Sequence, residues 1–128
     1  MKTKRILKVV CGVIERDGRY LLVKRPRDVM YAKHWEFPGG KVEEGETLKE
    51  ALQRELKEEL DIYVEVKDAL PPVEKDFPYL IIELLPFRCE ITKGTIKLLE
   101  HLDLIWVAPK QELDLLLCDG DLVIYNNL

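Results

Sequence analysis

Three glutamates, Glu55, Glu58 and Glu59, stand at i, i+3 and i+4 with Arg54 immediately before them, in a stretch whose periodicity reads as helix. At about 100° per residue they fall within about 60° of one another, with only Ala51 between them and Arg54 at the border. Like charges at these spacings destabilise a helix by a few tenths of a kcal/mol per pair, and no lysine interleaves them. A hard divalent cation would relieve that repulsion. Mg²⁺, or Mn²⁺ in its place, prefers carboxylate oxygens, keeps several waters and commonly shares itself between a protein carboxylate and a substrate phosphate. The same glutamates would also serve as a solvent-facing acidic patch, and the three alone do not separate the two readings.

Gly39 and Gly40 stand before Lys41, and a loop rich in glycine and charge runs from there to Glu46. Glycines let backbone approach a ligand closely, and a helix N-terminus near a lysine suits phosphate. Gly-Gly-Lys by itself more often marks a turn, and the glycine-lysine spacing of a P-loop is absent.

The elements that must position these residues are legible in outline. Thr47, with Glu50 three residues later, reads as a capping box opening a helix to about Leu60. Leu48, Leu52, Leu56 and Leu60 then form one apolar stripe that faces the core. Alternation marks strands at Lys8 to Glu15 and Tyr20 to Lys24, joined through Asp17-Gly18 as a hairpin. Phe37 to Gly40 breaks the pattern. Further strands are expected at Ile62 to Val66, Tyr79 to Glu90 and Leu98 to Val107, with breaks at Pro71-Pro72 and Lys93-Gly94. Pro109 opens a short helix through about Leu117, and a last helical segment covers Asp119 to Asn127. The expected class is α+β, a mixed β-sheet sandwiched between α-helices in three layers.

At 128 residues and 47% hydrophobic, the chain reads as a single domain over 1–128. No apolar run approaches the length of about 20 that a membrane helix needs. The basic start is broken by Lys8 and makes a poor signal peptide, so the cytoplasm is the expected location. Cys11, Cys89 and Cys118 read as small core residues rather than a disulfide framework, and His34 and His101 lack ligand spacing. Residues 1–38 carry ten Lys/Arg against four Asp/Glu, and residues 39–128 carry ten against twenty. An acidic chain with one basic segment is a poor binder of nucleic-acid polymers, but it could hold one polyphosphate between a basic wall and metal ions.

Taken together, Gly40, Glu46, Arg54, Glu55, Leu56, Glu58, Glu59 and Ile62 resemble the Nudix box at its required spacing. Asp61 is the sole departure, standing where that family has glycine; aspartate tolerates the left-handed conformation better than most residues. Trp35 to Glu43 looks like the approach to the box in the MutT-like branch, and Arg25, Glu100 and Trp106 match positions of that branch. The resemblance implies a Nudix fold and Mg²⁺-dependent hydrolysis of a (deoxy)nucleoside triphosphate to the monophosphate and pyrophosphate. Removal of 8-oxo-dGTP is the foremost substrate assignment, although the branch's base-reading asparagine position falls near Gly120 or Asp121. A cytosine nucleotide is the alternative, since Glu100-His101 and Trp106 also resemble enzymes of that kind. So is a non-catalytic nucleotide-binding module.

Carried over by position, Glu55, Glu58, Glu59 and Glu100 would bind metal with the Gly39 carbonyl, and Arg54 would orient the glutamates. Glu55 is the first choice to activate water, with Glu100 its rival. Lys41 would meet phosphate, while Arg25, Phe37, Asp119 and Asp121 would line the nucleobase pocket, Phe37 as an apolar wall and an aspartate as acceptor. Phe37 and Trp106 are equally open to a plain core role. The expected assembly is a monomer or homodimer.

Overall fold

The computed structural model describes residues 4–27, 29 and 31–128. The basic start at Met1–Thr3 lies outside the described residues. The chain runs β1 (Arg5–Arg16), β2 (Arg19–Lys24), β3 (Trp35–Glu36), β4 (Gly39–Lys41), α1 (Leu48–Leu60), β5 (Tyr63–Ala69), β6 (Val73–Phe77), β7 (Leu80–Lys93), β8 (Asp103–Val107) and α2 (Asp119–Asn126).

The organising element is β1. It pairs in parallel with β7 from Arg5↔Leu80 to Ile14↔Cys89, and antiparallel with β4 and β2. Its alternation divides the core. Val10 and Ile14 join Leu21, Val23 and the leucines of α1 on one face. Cys11 and Val13 join Tyr20, Leu22, Trp35, Phe37 and the α2 residues Ile124 and Tyr125 on the other. A mixed sheet is thus covered by one helix on each face, the three-layer arrangement expected of the sequence. The β1–β2 hairpin turns at Asp17 and Gly18, both left-handed (φ 52° and 74°), as a tight primed turn demands.

Strand β7 pairs with β1 on one side and with β5 and β6 on the other. Pro86 falls between the two antiparallel partners, beyond the Val73↔Leu84 pair and before Ala69↔Phe87. A missing N–H is tolerated there, where the ladder to β6 has ended and the ladder to β5 has not begun. All three cysteines are buried, and burial pushes the Cys89 and Cys118 thiols up to about 12, consistent with inert core residues. Among the described residues no helix is long and apolar enough to cross a membrane.

Four expectations need correction. The apolar run Leu98 to Val107 is strand only at Asp103–Val107. Its first part is instead a strap laid over the end of α1, with Lys97 N–H donating to Leu60 O (2.9 Å) and Leu99 N–H to Glu59 O (3.0 Å). Pro109 to Leu117 is not helical. Lys110 is left-handed (φ 53°), and the Tyr125 hydroxyl sits 2.6 Å from Ala108 O and 3.1 Å from Gln111 N. Leu113, Leu115 and Leu117 turn inward at every second residue, and Cys118 N–H donates to Trp35 O (3.0 Å). That is strand periodicity, which four leucines in nine residues disguise. The break at Phe37 to Gly40 shrinks to Phe37-Pro38, because β3 before it pairs with β2, and Gly39 and Gly40 already belong to β4, paired with β1. Finally, β6 has no counterpart among the expected strands; with β7 it forms a hairpin through Pro78-Tyr79.

Candidate active site

The helix carrying the glutamates begins as its sequence dictates. Thr47 Oγ1 accepts from Glu50 N–H (3.1 Å) and Glu50 Oε1 accepts from Thr47 N–H (3.0 Å), closing the capping box. Leu52, Leu56 and Leu60 are fully buried and Leu48 partly so. The helix ends at Asp61, left-handed at φ 55°, with its N–H on Lys57 O. Its carboxylate is held by Lys57 and stands 3.6 Å from Lys97.

The three glutamates have three different environments. Glu59 is buried at 5% exposure, and its Oε2 accepts from Gly39 N–H at 3.2 Å. Burial, reinforced by the charges of Glu55, Glu100 and Glu36, pushes its carboxyl up to about 9. Glu55 is partly buried against Gly40, where a Cβ would stand 2.4 Å from the Glu55 carboxyl carbon. Burial raises its pKa too, against the pull of Arg54. Glu58 is the most exposed of the three.

Arg54 ties this end together. Its Nε and one terminal nitrogen grip both oxygens of Glu46 (2.7 and 2.9 Å), while the other terminal nitrogen reaches Glu55 (3.0 Å) and Glu58 (3.3 Å). It also donates to Lys41 O (3.0 Å), joining helix to glycine loop. This planar fork is a geometry that lysine does not reproduce.

Beside these groups opens a cleft of about 420 Å³. Gly39, Lys41, Glu59 and Glu100 line it, and so do Arg25, Phe37 and Asp121. Glu55 packs behind Gly40, and Glu58 and Arg54 are not part of the wall. Asp119 is not at the cleft: it is exposed on the first turn of α2 and faces a separate recess with Val73 and Val123. The Phe37 ring is a core residue, 3% exposed, and its backbone N–H donates to Asp121 Oδ1 at 2.9 Å. Trp106 packs partly buried against the α1-side core under the guanidinium of Arg16.

Asp121 is 7% exposed. Burial pushes its carboxyl up to about 7; the Phe37 N–H opposes the shift and Glu36 adds to it.

Three cleft residues escape the sequence reading. Glu36 bridges Arg25 (2.6 Å) and His101 (3.1 Å), and Lys75 reaches the wall from β6. The signal for Glu36 is its place between buried Trp35 and Phe37. His101 finds its partner 65 residues away, and no local pattern marks that.

Among the described residues no three carboxylates, histidines or cysteines stand close enough to cage an ion unaided. The donor chemistry nonetheless fits a hard divalent cation. Glu55, Glu59 and Glu100 are oxygen donors; the charge of Glu100 raises the proton affinity of both Glu55 and Glu59, a repulsion that a cation removes, and an open coordination shell suits one shared with phosphate and water.

The NUDIX domain family matches residues 4–122. The chain is 37% identical over 118 residues to a CTP pyrophosphohydrolase of Escherichia coli K12, covering 92% of this chain and 87% of the relative. It is 40% identical over 79 residues to an 8-oxo-dGTP diphosphatase of Proteus vulgaris, covering 61% of this chain and 70% of that one. Its fold is similar to the crystal structure of a MutT NUDIX hydrolase from Burkholderia pseudomallei, with a TM-score of 0.86, 26% identity and coverage of 98% and 99%.

Proposed function

The chain belongs to the NUDIX hydrolases, and on that premise we propose that it hydrolyses a ribo- or deoxyribonucleoside triphosphate to the monophosphate and pyrophosphate, using a divalent cation, Mg²⁺ before Mn²⁺. The observation that carries this reading is one cleft whose wall includes Lys41, Glu59 and Glu100 together with Arg25, Phe37 and Asp121. A polyphosphate fits the first group and a base the second.

Glu55, Glu59 and Glu100 would hold the cation, with Glu58 and the Gly39 carbonyl within the same region. Bound there, a cation would neutralise polyphosphate charge and favour ionisation of water. The chain's own groups do the rest. Lys41 meets phosphate, Arg54 fixes the glutamates, and Glu55 takes the proton of the attacking water, with Glu100 as the rival base.

For the base, a cytosine nucleotide stands ahead of 8-oxo-dGTP. Asp121 is a buried acceptor suited to an amino group, and the relative named a CTP pyrophosphohydrolase is similar over nearly the whole chain. The 8-oxo-dGTP reading is kept as second because a relative with that activity in its name shares 40% identity, though over a shorter span. A cytoplasmic nucleotide pool is the setting this reading expects.

A nucleotide panel with Mg²⁺ and Mn²⁺ tests the reaction, and pyrophosphate released from no triphosphate would overturn it. Competition among dCTP, 5-methyl-dCTP and 8-oxo-dGTP decides the base.

A further inference from the structure

The strand pairing gives the cleft a long axis. Lys41, Val9, Leu84 and Val73 stand in one row across β4, β1, β7 and β6, since Val9 pairs with both Lys41 and Leu84, and Leu84 pairs with Val73. Three strand spacings separate the ends of that row, about 14 Å, a span that an extended nucleoside triphosphate covers. Lys41 stands at the end assigned to phosphate.

At the β6 end is an aromatic ring that the hydrolytic reading leaves unused. Lys75 is directly opposite Ile82, which is itself opposite Leu7, so the three side chains share the cleft face of the sheet. The Lys75 ammonium lies over the Tyr31 ring, 5.2 Å from its centre. Tyr31 therefore sits above that face, and it borders both the cleft and the recess beside α2. The neighbour of Asp121 abuts the same place, because a Cβ on Gly120 would stand 2.3 Å from Leu84 Cδ1 and 3.1 Å from Lys75 Cδ. Ring and Asp121 thus occupy one end of the cleft.

Of the tyrosine and phenylalanine residues that border the cleft among the described residues, Phe37 is core and Phe77 is partly buried, whereas Tyr31 is 38% exposed. His34 braces its ring at 70° from within the same loop. The Tyr31 backbone is left-handed (φ 58°), a conformation rare for a bulky residue and less strained for asparagine or glycine. Core packing does not account for a ring at that position. Its ammonium cover is weak and mobile: an exposed cation–π contact contributes less than a base stacked on an aromatic ring, and the lysine stem is flexible.

We infer that the nucleobase displaces the Lys75 ammonium and stacks on Tyr31, which makes Tyr31 a base-binding residue that supplies affinity and leaves the base edge to Asp121. The inference rests on the triphosphate reading above.

CTP and ribose 5′-triphosphate, which lacks the base, test it in the wild type, Tyr31→Phe and Tyr31→Asn, asparagine being compatible with the left-handed backbone. Tyr31→Asn lowers kcat/KM for CTP about 5- to 100-fold, chiefly through KM, and Tyr31→Phe stays within about twofold of the wild type. The inhibition constant of ribose 5′-triphosphate against CTP changes by less than about twofold in either variant. An equal loss for the two ligands would mark a merely structural tyrosine and overturn the inference, as would an unchanged CTP value in Tyr31→Asn. So would a loss in Tyr31→Phe as large as in Tyr31→Asn, since the contact would then be the hydroxyl.

Spectra of the wild type with carbon-13 in its tyrosine rings and nitrogen-15 in its backbone need no turnover; the Tyr31 ring signal is the one that Tyr31→Phe lacks. With Mg²⁺ and a non-hydrolysable cytidine triphosphate, the Tyr31 ring protons move upfield under the ring current of the base, and with the matching baseless analogue they stay. If they stay with both while the Glu55 and Glu59 amides move, the inference fails and the hydrolase reading stands. If nothing moves, both fail.

Discussion

At the α1 end of the cleft, the charged groups come mostly from one helix and the loop before it, and Arg54 binds Glu46, Glu55, Glu58 and the Lys41 carbonyl into one network. The far end is assembled from separate pieces of chain: Arg25 after β2, Glu36 on β3, His101 on the strap and Asp121 on α2. Its bonds join residues 65 and 84 positions apart, against 20 for Gly39 and Glu59. A module built from contiguous sequence can keep its chemistry while its surroundings vary, and an assembly of distant pieces can change ligand through any one of them. The first end should therefore govern turnover and the second selection.

The sharpest test of that division is Glu55→Gln. Loss of a general base should lower kcat by roughly 10³-fold while nucleotide affinity, measured by calorimetry, stays within a few-fold. A pure binding module would show no turnover to lose. Arg54→Lys follows, because a single ammonium does not replace two parallel bonds to Glu46 and a third to Glu55. A fall in kcat of roughly 10- to 100-fold with a small change in KM is expected. If KM rose instead while kcat held, the network would belong to binding and the contrast between the two ends would fail.

Much of the first end is legible in the sequence. The capping box, the leucine stripe and the Glu55-Glu58-Glu59 face follow from helical geometry over fourteen residues, and α1 forms where they predict. What periodicity does not reveal is inequality among the glutamates. Burial of Glu59 depends on β4 docking against β1, which puts Gly39 beside it. The far end is less legible for the same reason that its contacts are long. Arg25, Phe37 and Asp121 reach the cleft, but Phe37 contributes its N–H rather than an open ring face, and Asp119, two residues from Asp121, points elsewhere. The strap at Leu98 to Leu102 and the extended Leu113 to Leu117 have strand-like or helix-like composition. Their conformations are set by α1, Trp35 and Tyr125.

Asp121→Asn examines the far end without touching the glutamates. The fold raises the Asp121 carboxyl from its ordinary 3.8 to about 7. The folded protein therefore binds the proton more tightly than the unfolded chain. The resulting stabilisation is full below about pH 4 and is lost as pH rises through about 7. Between pH 5 and 7.5 the wild type should lose roughly 2 kcal/mol from this group, and the asparagine variant should not. Glu59 pulls in the same direction, so the readout is the difference between wild type and variant in urea unfolding across that range. Identical pH slopes would show that Asp121 titrates as an ordinary surface carboxylate.

The smallest expected effect belongs to Asp61, the residue standing where the Nudix box has glycine. Its backbone is left-handed at φ 55°, a conformation that glycine adopts without the Cβ penalty, and it closes α1 through its N–H on Lys57 O. Its carboxylate is only half-shielded between Lys57 and Lys97, and ion pairs of that kind contribute little in water. It also places negative charge at the helix end where the macrodipole is already negative. Asp61→Gly should accordingly raise Tm by about 2–4 °C. The strap should stay in place, because Lys97 and Leu99 hold it by backbone bonds to Leu60 and Glu59 that do not involve the Asp61 side chain. Activity should be unchanged, and a calorimetric scan paired with kcat on one triphosphate checks both. A fall in kcat with no loss of Tm would mean that the Lys97 contact positions Glu100, and that the catalytic end depends on distant residues as much as the selective one does.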